Sequence, residues 1–65
     1  MAEAKRKRRR EVVKTGRFIL GVVEWHEPTI GVHPFHLTIR THAGPQYLGV
    51  TATLTEARRA VRDNT

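Results

Sequence analysis

At 65 residues and without cysteine, the chain has room for one small domain with a thin core, and neither disulfides nor thiolate metal ligands can staple it. Its longest apolar run, Phe18 to Val23, is far too short to span a bilayer, and no secretory leader pattern follows the basic start. A cytoplasmic or nucleoid-associated protein is expected, nuclear if the source is eukaryotic, with no membrane partner. The net charge is +6, and residues 1–17 hold all of it: eight Lys and Arg stand there against two Glu, while residues 18–65 balance four Arg against four acids.

Residues 1–16 read as a disordered basic arm. The run Lys5, Arg6, Lys7, Arg8, Arg9, Arg10 sets like charges side by side and at i,i+4, which opposes a helix in isolation. Neutralisation by a polyanion would let the arm order, since its residue types favour helix. Gly16 is the expected boundary with a folded unit over residues 17–65.

Arg17 to Trp25 predicts a strand, bounded by Gly16 and Pro28. Its alternation is poor: Phe18, Leu20 and Val22 share one face, Ile19, Val23 and Trp25 the other. Either both faces are covered or Gly21 is a bulge that switches them. His26 to Pro34 reads as a loop. Phe35 to Thr41 is the cleanest strand, with Phe35, Leu37 and Ile39 inward and His36, Thr38 and Arg40 outward. After a turn at His42 to Pro45, Gln46 to Thr51 predicts a third strand, with Leu48 and Val50 inward and Tyr47, Gly49 and Thr51 outward. Thr53-Leu-Thr-Glu56 then matches a capping box, and Leu54, Ala57 and Val61 recur at helical spacing. The fold class expected is α+β: a three-stranded antiparallel sheet with one C-terminal helix on one face, the other face open, preceded by the arm.

The basic residues Lys5, Arg6, Lys7, Arg8, Arg9, Arg10, Lys14 and Arg17 suit neutralisation of nucleic-acid phosphates, which gives affinity without sequence information. A nuclear localisation signal, attraction to anionic lipid and a solvated tail are the rival readings, and no amphipathic pattern or lipidation signal accompanies the run. His36, Thr38 and Arg40, with Tyr47 and Thr51, form a polar sheet face that could reach base edges in a groove, or is simply the wet side of an antiparallel sheet. If Ile19, Val23 and Trp25 line the open face, they form an apolar stripe for a protein partner or a homodimer, as in a small phage-type regulator docking on a host protein. Four histidines invite a metal site at His33-x-x-His36, but Pro34 lies between them and cysteine is lacking. No cofactor is expected. With no Ser or Cys nucleophile and no glycine-rich phosphate loop, an enzyme is not expected either.

The strands FHLTIRT and YLGVTAT and the helix LTEARRAVRD, behind a basic arm, resemble the arm-type DNA-binding domain of tyrosine-family phage and transposon integrases. The plant ethylene-response-factor type DNA-binding domain is similar in architecture. The segment LGVTATLTEARRAV is similar to the usual join of the third strand to the helix in those domains. The resemblance implies double-stranded DNA as partner, with the sheet in the major groove and the arm on the backbone or in the minor groove. Groove contact would fall on His36, Thr38, Arg40, Tyr47 and Thr51.

Overall fold

The computed structural model describes residues 6–65. Strand β1 spans Lys7–Thr15, β2 Phe18–Glu27, β3 Phe35–Thr41 and β4 Gly44–Thr51, and helix α1 spans Leu54–Asp63. The strands form one antiparallel sheet in the order β1-β2-β3-β4, so each pairs with its neighbour in sequence. The α+β class and the C-terminal helix are as the residue pattern predicts. The strand number is not: the sheet has four strands, because the segment read as an arm supplies β1 from Lys7 onward.

The physical reason is a tight hairpin. Thr15 pairs with Phe18, leaving Gly16 and Arg17 as a two-residue turn, and Gly16 sits at φ +55°. A hairpin turn that matches the right-handed twist of its strands needs positive φ at its first central position, where glycine carries no penalty. Gly16 is therefore a turn centre rather than a domain boundary. Upstream of it, the β-branched Val12 and Val13 suit a strand, and Lys7 to Arg10 stay exposed.

Helix and sheet meet around Val13, Val23, Leu37, Ile39, Ala57 and Val61, all buried. Val13, Gly21 and Ile39 lie in cross-strand register, as do Val23 and Leu37, so β1 contributes directly to the core. Leu20, Trp25, Phe35, Leu48, Leu54 and Ala60 pack around this centre. Trp25 and Phe35 tilt against each other with ring centroids 5.3 Å apart.

Two bulges set which side chains face where. The β1–β2 register skips Leu20 and the β3–β4 register skips Leu48, and both leucines pack against the core. Each bulge reverses the alternation beyond it. Gly21 lies beside the first bulge, where α1 comes closest to the sheet. A Cβ there would collide with the Thr38 carbonyl oxygen and lie 2.9 Å from Val61 Cγ1. The helix is capped by Thr53, whose Oγ1 accepts from the Glu56 amide at 3.1 Å and donates to Glu56 Oε1 at 3.3 Å.

Candidate nucleic-acid interface

Strand alternation divides the cations of β1 between two faces. Lys7, Arg9, Glu11 and Val13 point to the helix side, opposite Glu27, Trp25, Val23 and Gly21. Arg8, Arg10, Val12 and Lys14 point to the open side, opposite His26, Glu24, Val22 and Ile19.

On the helix side the acids are engaged. Arg9 donates to Glu27 Oε1, and Arg58 of α1 donates from Nε and Nη2 to the two carboxylate oxygens of Glu11, at 2.5 and 2.8 Å. The paired hydrogen bonds from Arg58 hold the Glu11 carboxyl below its ordinary pKa, against the opposing effect of burial, and raise that of Arg58 in turn. On the open side, Arg8, Arg10, Lys14 and Arg40 share the surface with Glu24, and no ion pair among the described residues reaches any of the four cations. The open face therefore carries four cations outside any ion pair, and Lys7, Arg59 and Arg62 are outside the two pairs as well.

The pairing registers order that face into rows. One row reads Arg10, Glu24, His36, Val50; the next reads Val12, Val22, Thr38, Tyr47. Cations flank the second row, with Arg8 and Arg10 toward one end of β1 and Lys14 toward the other. Tyr47 is 60% exposed and Val12 40%. His36 Nδ1 and the Tyr47 hydroxyl are hydrogen-bonded at 3.1 Å, and their rings lie 6.2 Å apart between centroids.

Two hollows open on this surface. The first, of about 270 Å³, is lined by Arg8, Glu24, Trp25, His26, His36, Thr38 and Tyr47. The second, of about 560 Å³, lies at the turn end of the sheet and brings Arg17 and Arg40 together beside Phe18 and His42.

The residues proposed from sequence are thus partly gathered and partly separated. His36, Thr38, Arg40 and Tyr47 share the open face with Arg8, Arg10 and Lys14, and Arg17 joins Arg40 at the turn end. Arg6 precedes β1 and is exposed, and Lys5 lies outside the described residues. Lys7 and Arg9 face the helix side.

Thr51 is a correction: it pairs with Phe35 on the helix side, and its hydroxyl donates to the Thr53 carbonyl at 2.9 Å. Val50, expected inward, pairs with His36 on the open face, because the Leu48 bulge lets Tyr47 and Val50 both point outward. The stripe of Ile19, Val23 and Trp25 does not form, since Val23 is buried under α1 and Trp25 packs on Phe35. Sequence reasoning missed Glu24, His26 and the Val12–Val22 pair. The two-residue Gly16-Arg17 connection signals the hairpin, but the Leu20 bulge then shifts the register by one residue, and the sequence carries no clear signal for that shift.

Compared with known proteins, the chain matches no family model, no curated protein and no solved structure. Among the described residues, no helix is long and apolar enough to cross a membrane.

Proposed function

We propose that the chain is a nucleic-acid-binding module that uses the open face of its sheet. One observation carries the reading: alternation sends Arg8, Arg10 and Lys14 to the face that also holds Arg40, while two cations of the opposite face are paired with Glu11 and Glu27. Charges held on one flat surface can neutralise successive phosphates and release their counterions. His36, Thr38 and Tyr47 supply hydrogen bonds and a ring beside that stripe. The resemblance of β2, β3, β4 and α1 to arm-type DNA-binding domains adds DNA as the polymer, and on this reading the chain works in the cytoplasm or at the nucleoid.

Salt titration of binding to a labelled oligonucleotide tests this. Replacing Arg8, Arg10 and Lys14 by Ala should flatten the log–log salt dependence by about 0.7–0.9 for each phosphate left without its cation. The same change at Lys7 and Arg9 should leave the slope near wild type. Equal effects from the two sets would show that the cations act as an undirected cloud and would remove the sheet face from the account.

Protein docking remains a second reading on different residues, because Val12, Ile19 and Val50 are exposed on the open face. Self-association by sedimentation, weakened by Val12→Thr and unaffected by removal of the open-face cations, would favour it.

A further inference from the structure

The rows of the open face point beyond phosphate binding to the state of the bases. Four strands at about 4.8 Å spacing span about 14 Å between the outer two, against a major groove about 12 Å wide. A three-stranded sheet, about 10 Å across, could enter that groove. This sheet is broader than the groove, so its central residues would meet a duplex only across the phosphate ridges. The open-face residues across that span are ill suited to phosphate: Val22 on central β2 and Val12 on edge strand β1 are apolar, Tyr47 on edge strand β4 presents a ring, and Glu24 repels anions.

The same residues suit an unpaired base. Bases freed from a duplex offer flat apolar faces, and an exposed aromatic side chain is the usual platform for them. Tyr47 is exposed yet oriented, since its hydroxyl is tied to His36 Nδ1. The hollow beside it, about 270 Å³, falls just short of the roughly 300 Å³ at which pockets begin to take drug-sized ligands, which fits one ring. Thr38 lines that hollow with an acceptor for a base's amino edge, and Arg8 lines it as well.

We infer that the ligand is a single-stranded nucleic acid laid across the sheet, with one base stacked on Tyr47 in the hollow between Arg8 and Thr38 and its backbone following Arg8, Arg10 and Lys14. This rests on the nucleic-acid reading above. Fluorescence anisotropy with the full chain tests it, using a labelled mixed-sequence single strand of roughly 12 nucleotides and the same sequence as a duplex.

The single strand should bind more tightly than the duplex. Tyr47→Ala should weaken single-strand binding roughly 10-fold, and Tyr47→Phe, which keeps the ring, should stay within about 2-fold of wild type. A duplex bound as tightly as the single strand, or a Tyr47→Ala variant that folds and binds like wild type, would overturn the inference while leaving the nucleic-acid reading intact. Equal losses in Tyr47→Ala and Tyr47→Phe would overturn it too, because the hydroxyl rather than the ring would then be the contact. Failure of both ligands to bind would sink the two together.

Discussion

Arg58 and Glu11, 47 positions apart in sequence, form a two-point hydrogen-bonded pair that ties the helix to the strand carrying five of the chain's 12 Lys and Arg. The pair takes the single acid of β1 to the helix side. Arg8, Arg10 and Lys14 on the other side of the strand are left without a carboxylate on their own strand.

The pair makes stability depend on pH in a defined direction. The folded pKa of Glu11 is held below its ordinary 4.5, so the carboxylate's contribution is complete above that value and disappears as pH falls through the folded pKa. Both partners are substantially solvated, so the contribution is small. Glu11→Gln should lower the thermal midpoint at neutral pH, and the gap to wild type should narrow as pH falls through the folded pKa of Glu11. A gap that persisted below it would mean the charge is not its cause.

Gly21 is expected to tolerate no side chain. An added methyl group would meet the Thr38 carbonyl and Val61, so Gly21→Ala should cost about 1–3 kcal/mol in a urea titration. That is a large share of the roughly 3–10 kcal/mol available to a domain of this size. Adding Val61→Ala should give less than the sum of the two single losses. Strict additivity would show that helix and glycine do not touch.

Capping offers a local test. Thr53→Ala removes the acceptor of the Glu56 amide and should cost about 1 kcal/mol, while Thr55→Ala, on an exposed position of the first turn, should cost much less. Similar losses from both would remove the cap from the account.

Glu24 reduces the positive charge of the open face without changing its sign. Glu24→Gln removes its carboxylate and should tighten phosphate-driven binding about 2- to 5-fold at low salt, an advantage that shrinks as salt is added. Weaker binding instead would identify Glu24 as a direct acceptor from the ligand.

The helix, its cap and the inward set of β3 are legible in the sequence because each repeats at the period of its element: Leu54, Ala57 and Val61 every three or four residues, Leu37 and Ile39 every two. β1 is not. Charge adjacency in Lys7 to Arg10 suggests repulsion and disorder, yet an edge strand lets alternate side chains diverge to opposite faces, and a row of Lys and Arg protects such an edge from pairing with other chains. The faces of β2 and β4 are obscured by bulges at Leu20 and Leu48, each of which inserts one residue and reverses the parity a simple alternation assigns. That is why plain alternation puts Thr51 on the open face and Val50 on the inner one. The strand character of β1 also changes how the basic segment can be tested. Deleting residues 1–16 would remove Val13 from the core and Glu11 from Arg58 along with the cations, so point substitutions on β1 are the cleaner probe.

The sequential strand order has a kinetic consequence. Every strand pairs with the one before it, so the sheet can grow hairpin by hairpin with short loops to close, and sequence-distant packing enters mainly when α1 docks on β2 and β3. Folding should therefore be fast for a protein made chiefly of strands. If docking of α1 comes late, substitutions at Val61 should accelerate unfolding more than they slow refolding, and a stopped-flow chevron that showed the reverse would place the helix in the nucleus.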